Sequence, residues 1–146
     1  MTTKLALIIG GGIGGLSVAI ALEQIGMQVA IYERASELKP VGAGISLWAN
    51  AVKALDQLGV GEKLRELGTF EGNGGFHIPN GKTLAKTNMQ DMIDRFSAPT
   101  TVIHRADLIN ILRERINSPI HLNTVFTHYE SDGDSIIAHF SNGTTA

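Results

Sequence analysis

Gly10, Gly11, Gly12, Gly14 and Gly15 fill five of six consecutive positions, between an apolar run and an apolar-periodic stretch. Glycine is costly inside a strand or helix, so such a cluster needs a reason. Gly10, Gly12 and Gly15 fit the spacing G-x-G-x-x-G. The first glycine permits a tight turn, the second lets backbone approach a diphosphate, and the third allows close helix–strand packing. Glu33 follows about 20 residues further on, where a carboxylate would accept hydrogen bonds from ribose hydroxyls. The chemistry implied is that of gripping an adenine dinucleotide. Because Glu33 would repel a 2′-phosphate, tightly held NADP is the poorer fit, while FAD and NAD both remain open.

Such residues need a strand, a turn and a helix to place them. Leu5–Ile9 is a short continuous apolar run, expected to be a strand buried on both faces, as in parallel sheets. From Gly14 to Ile25, Leu16, Ala19, Ile20 and Leu22 recur at helical spacing, and Gly26 is placed to end the helix. Gln28–Tyr32 reads as the next strand, with Glu33 at its tip. Together they form a βαβ unit with a right-handed crossover. The amides and positive dipole end of the helix would face the phosphates.

Further along, Asn50–Leu58 reads as a helix stopped by Gly59, with Asn50 a candidate cap. Glu62–Leu67 continues as a helical turn or two. Phe70–Ile78 and Lys82–Asn88 read as a hairpin around Pro79-Asn80-Gly81. Asp91, Asp94 and Arg95 read as a solvated turn. Ala106–Ile116 returns to helix, with Leu108, Ile109, Leu112 and Ile116 on one face. Ile120–Leu122, Val125–Tyr129 and Ser135–Phe140 read as strands, the last two joined by a turn at Ser131–Asp134. The final residues suggest a hairpin turn at Asn142-Gly143 and a returning strand that stops early, as in a piece of a longer protein.

The chain has 146 residues, a single-domain length, with 43% hydrophobic and 18% charged residues, enough apolar material for a core. Its net charge of −2 supplies no cationic excess for nucleic acid or a membrane surface. No cysteine is present, which excludes disulfides and thiolate chemistry and fits a reducing, cytoplasmic setting. No apolar run reaches the roughly 18 residues of a membrane span, so no stable membrane insertion is expected. His77, His104, His121, His128 and His139 show no recognisable ligand spacing, and no metal site is expected.

Three blocks, "GGGIGGLSVAIALEQIGMQVAIYERA", "VGAGISLWANAVKALDQLGV" and "HRADLINIL", resemble in order and spacing the FAD-dependent monooxygenases. These are the single-component aromatic hydroxylases related to salicylate and para-hydroxybenzoate hydroxylases. The resemblance implies an α/β fold: a Rossmann-like FAD-binding βαβ core with added antiparallel strands. Segments of about 1–68 and 101–146 would be Rossmann-type, and about 69–100 the first hairpin of the substrate-side sheet. The "ADG" and "GD" motifs of the family do not occur in this sequence, so this segment is expected to lack the C-terminal part of the family fold.

The resemblance also assigns residues. Gly10, Gly12, Ile13, Gly14 and Gly15 would form the pyrophosphate turn. Glu33 would bind the adenosine ribose, with Arg34 along the adenine and ribose. Gly42, Ala43 and Gly44 would form a loop passing close to the flavin side. Arg105 would reach the ribityl or phosphate region, and Val125 would offer backbone bonds to adenine. FAD would be the bound cofactor and NADH or NADPH a transient reductant, with O2 supplying a hydroxyl group to a small aromatic substrate. The cofactor carries that chemistry, so no catalytic acid, base or nucleophile is named. The segment alone is expected to bind FAD weakly and to turn nothing over, and its strand edges offer a route to a homodimer. Two rivals stand beside this reading: the nucleotide-binding domain of an NAD-dependent dehydrogenase, and a non-catalytic nucleotide-binding fragment.

Overall fold

The computed structural model describes residues 4–38, 43–70, 74–133 and 135–146. The elements are β1 (Leu5–Ile9), α1 (Ile13–Gln24), β2 (Gln28–Tyr32), β3 (Gly44–Leu47), α2 (Ala49–Gln57), α3 (Gly61–Leu67), β4 (Thr69–Phe70) and β5 (Gly74–His77). They continue as β6 (Thr83–Thr87), α4 (Met89–Phe96), β7 (Thr101–His104), α5 (Arg105–Arg115), β8 (Ile120–His121), β9 (Phe126–Ser131) and β10 (Ile136–Phe140). The chain divides into two compact units, one of residues 1–40 and 112–146, the other of residues 41–111.

The first unit is built on the βαβ element that the sequence implies. β1 and β2 pair in parallel with Leu5 opposite Gln28 and Ile9 opposite Tyr32, and β8 joins the far side of β2, also parallel. The sheet order is β1-β2-β8. Leu16, Ala19 and Ile20 of α1 and Val29, Ala30 and Ile31 of β2 are buried, so helix and sheet pack through the residues whose periodicity forecast them. The helix ends where Gly26 adopts φ +80°, its N–H donating to the Glu23 carbonyl while Met27 N–H reaches the Leu22 carbonyl. Glu23 then ties this end to the strand beyond, accepting from the amides of Ser118 (2.8 Å) and Asn117 (3.2 Å).

One expectation for β1 fails. Ile8 is buried, but Leu5 is 54% and Ile9 48% exposed, so the strand is not covered on both faces. Among the described residues β1 has a single strand neighbour, β2. Its other side lines a groove of about 760 Å³ with Phe126, Tyr129 and Ile136 of the β9–β10 hairpin. That hairpin is antiparallel. After the Asn142-Gly143 turn the chain returns along β10, with Ala138 and Ala146 exchanging backbone bonds of 2.7 and 3.0 Å.

The second unit is an antiparallel three-stranded sheet of order β3-β7-β4, a separate β5–β6 hairpin, and the helices α2, α3 and α4. The β5–β6 hairpin and its turn follow the sequence reading, but the strand containing Phe70 does not belong to it: Thr69 and Phe70 pair with Val102 and Thr101 of β7. The residues expected to form a solvated turn form α4 instead. Asn88 caps it by accepting from Gln90 N–H (2.8 Å), and the Gln90 side chain donates to Asp94 one turn on. Asn50 does not cap α2, which begins one residue earlier at Ala49 after Trp48. An interior position cannot offer its side chain to the first free amides. Gly42 and Asp134 lie outside the described residues.

Candidate functional site

The geometry of the glycine turn follows from three separate constraints. Gly10 has φ +107°, a conformation that costs an L side chain about 1–2 kcal/mol. It is fixed there because its N–H donates to the Tyr32 carbonyl at 2.8 Å. Gly15 sits on the turn itself: a Cβ placed there would run into the Gly10 carbonyl oxygen, with the carbonyl carbon 3.1 Å and Ile8 Cγ2 3.3 Å away. Gly12 and Gly14 are different. A Cβ at either would meet nothing within 4 Å, so here the missing side chain leaves open space.

That space lies at the amino end of α1. Gly12 is the N-cap residue, without a side-chain cap, and no acid occupies the first turn. The first intrahelical bond runs from Leu16 N–H to the Gly12 carbonyl (2.9 Å), so Ile13, Gly14 and Gly15 have amides with no acceptor in the helix. Partial positive charge gathers at such an end. A cradle free of Cβ atoms, lined by amides, has the donor set and room for a diphosphate.

Glu33 stands at the tip of β2. Its Oε2 accepts from Gly11 N–H at 2.6 Å and its Oε1 from Ala35 N–H at 2.8 Å. Those two bonds orient the carboxylate beside the glycine turn. The carboxyl is held below its ordinary range, chiefly by the Ala35 bond. Burial opposes the shift, and the Gly11 bond and the Arg34 charge add to it. The loop after β8 clamps the same tip: Glu33 N–H donates to the His121 carbonyl and Thr124 N–H to the Glu33 carbonyl. Tyr32 stacks between His121 and Phe140, with ring centroids 4.7 and 4.5 Å away.

Arg34 is exposed beside Glu33. Val125 is exposed too, and its carbonyl accepts Ser141 N–H at 2.9 Å. In the second unit, Ala43, Gly44 and Arg105 come together, since the Arg105 amide donates to the Ala43 carbonyl at 2.9 Å and Gly44 faces His104 across the β3–β7 pair. Gly44 opens a strand rather than lying in a loop; Ile45 pairs with buried Ile103, and Leu47 is itself buried. Arg105 is the first residue of α5. Sequence reasoning passed over Gly11, which falls outside the G-x-G-x-x-G spacing. Its amide orients Glu33, and a Cβ there would press on Glu33 Cβ at 3.2 Å and Leu38 at 3.0 Å.

The FAD binding domain family matches residues 3–145. The chain is 38% identical over 142 residues to an FAD-dependent urate hydroxylase of Mycolicibacterium vanbaalenii, covering 94% of this chain and 36% of that protein. It is 41% identical over 109 residues to a 3-hydroxybenzoate 6-hydroxylase of Klebsiella oxytoca, covering 70% of this chain and 26% of that one. Among solved structures, Klebsiella pneumoniae HpxO complexed with FAD and uric acid superposes with a TM-score of 0.83 at 29% identity, covering 98% of this chain and 36% of that one. The chain therefore spans about a third of the length of these relatives.

Proposed function

From the premise that this chain belongs to the FAD binding domain family, we propose that it is the nucleotide-gripping part of a flavin-dependent monooxygenase. The whole enzyme would hydroxylate a small aromatic substrate with NADH or NADPH and O2 in the cytoplasm. The observation that carries the reading is the pairing of an open, amide-lined cradle at Gly12–Gly15 with a carboxylate held beside it by Gly11 and Ala35. A dehydrogenase domain would extend its βαβ unit with further parallel strands. Here the strands that come next in the chain form the antiparallel β3-β7-β4 sheet and the β5–β6 hairpin, and a single further parallel strand, β8, joins β2 only after them.

In this proposal Ile13, Gly14 and Gly15 donate backbone N–H groups to the diphosphate, with the dipole of α1 opposing its charge. Glu33 accepts from the adenosine ribose, and Arg34 lies along the adenine side. Ala43, Gly44 and Arg105 serve the flavin side, and Val125 the adenine edge. Residues 69–100 belong to the substrate side. The bound FAD would supply the redox chemistry, transfer of electrons from the nicotinamide to oxygen. The chain's own residues bind and orient; none is assigned a proton transfer.

The test separates fit from folding. Gly12→Ala adds a methyl where nothing stands within 4 Å, at an ordinary φ of −81°, so its urea midpoint should match that of the unsubstituted chain. The same methyl enters the cradle, and FAD affinity should fall at least about tenfold, the equivalent of 1.4 kcal/mol. Unchanged FAD affinity would contradict the placement of the diphosphate. For the whole enzyme, the expected result is substrate-stimulated NAD(P)H oxidation with hydroxylated product across a panel of phenolic acids and purines. Flavin binding without any such product would leave the family and remove the activity.

A further inference from the structure

The β9–β10 hairpin carries a group of side chains that the flavin reading leaves unused. His128 and Glu130 are two residues apart on β9 and so share one face. His139 lies directly opposite His128 on β10. The two imidazoles stack with centroids 4.4 Å apart and planes within 6°, and His139 Nε2 is 3.6 Å from Glu130 Oε1. One ligating atom from each of the three lies within 4.8 Å of the others. The groove beside β1 is lined by Tyr129, Ser131, Ile136 and Ala138; in strand alternation these belong to the opposite face of the hairpin.

We propose that His128, Glu130 and His139 form a binding site for a divalent transition-metal ion of the Zn²⁺ class. Two details of the hairpin prepare it. The register shifts between His139 and Phe140, which leaves Thr127 as an extra residue on β9, and bulges of this kind re-aim side chains. Thr127 Oγ1 donates its single proton to the His139 carbonyl at 2.9 Å. Its 3.0 Å contact with His128 Nδ1 must then run from the ring N–H to the hydroxyl oxygen. This fixes the tautomer and leaves the Nε2 lone pair of His128 available, as an outer hydrogen bond does for metal-bound histidines.

The second detail is His139 Nε2. It is shut off from solvent and has no hydrogen-bond partner among the described residues; the Glu130 carboxylate at 3.6 Å is too far to bond it. A buried ring nitrogen without a partner is destabilising, and a cation between it and Glu130 would remove that penalty. Tetrahedral zinc holds nitrogen and oxygen ligands about 2.0–2.2 Å from the metal, hence about 3.3–3.5 Å from one another. The His139–Glu130 separation is already near that span. The two rings, stacked with nearly parallel planes, would turn out of the stack to bring both lone pairs onto one ion. Two imidazoles and one carboxylate suit zinc and its neighbours, whereas magnesium and calcium require oxygen ligands.

The experiment titrates the chain, without FAD, with Co²⁺ read by its visible absorption, then displaces it with Zn²⁺. The expected result is one saturable equivalent, displaced by Zn²⁺ and indifferent to excess Mg²⁺. His128→Asn and His139→Gln should each weaken binding at least about tenfold, and Glu130→Gln several-fold. His77→Gln, a change to an exposed histidine elsewhere, should leave it unchanged. If His139→Gln impairs folding, His128→Asn decides, since that side chain is exposed. No saturable uptake, or uptake that survives His128→Asn, overturns the proposal.

Discussion

Gly15→Ala is expected to unfold the βαβ unit in conditions where the unsubstituted chain is stable, although alanine is the better helix former by about 1 kcal/mol. The new methyl would occupy the place of the Gly10 carbonyl oxygen and crowd Ile8. That carbonyl cannot swing away freely, because Gly10 is held at φ +107° and its amide is bonded to Tyr32. The relief available is to lift α1 from the sheet, which breaks the packing of Leu16 and Ile20, both almost fully buried. Overpacking of this kind costs up to about 3 kcal/mol, a large part of the stability of a small domain. Urea unfolding followed by circular dichroism checks it. A Gly15→Ala midpoint equal to or above that of the unsubstituted chain would show that helix propensity outweighs the clash.

Glu33→Ala should act on both stability and binding. It deprives the part-buried Gly11 amide of its acceptor, a loss of about 1–3 kcal/mol, and it removes the acceptor proposed for the ribose. FAD affinity should therefore fall by about tenfold to a hundredfold. The pH dependence has a definite sign. The Glu33 carboxyl is lowered from its ordinary 4.5, so the folded chain binds the proton less well than the unfolded chain. Its contribution is complete above about 4.5 and drains away as pH falls through the folded value. Glu23 behaves in the same direction. Burial raises its carboxyl, but the bonds from Ser118 and Asn117 together outweigh that and lower it. The urea midpoint should thus be level near neutrality and decline in acid, and Glu33→Gln should flatten part of the decline. An identical acid slope in the variant would show that the two amide bonds do not favour the charged form.

The βαβ element was readable residue by residue because each of its signals is local. An apolar run marks β1, a 3.6-residue period marks α1, and glycine marks each place where the backbone turns or touches. The Asn142-Gly143 hairpin and the β5–β6 turn were readable for the same reason. β3 and β7 were missed: each is only four residues long, and each is a strand because the other lies beside it, a pairing some sixty residues apart in the chain. α4 was missed although Met89, Met92, Ile93 and Phe96 recur at helical spacing, because the helix is only eight residues long and its charges at Asp91, Asp94 and Arg95 suggested a turn. Its cap and its Gln90–Asp94 bond help to hold it. The site divided along similar lines. Gly10, Gly12, Gly15 and Glu33 stood out by spacing, while the part played by Gly11 depends on where Glu33 folds back. His128, Glu130 and His139 gave no linear motif, since the strand register and a one-residue bulge bring them together.

The unpaired edge of β1, which borders the groove under the β9–β10 hairpin, has a topological consequence. Counting outward from β1, the sheet advances through β2 to β8 on one side only among the described residues. Any strand that later docks on the vacant side must reverse that direction of growth, and in open α/β sheets ligands lodge at the carboxyl end of such a reversal. The Gly10–Gly15 turn already sits at that end of β1. A neighbour added there would stand beside the cradle proposed for the diphosphate and lie against the edge that carries Leu5 and Ile9.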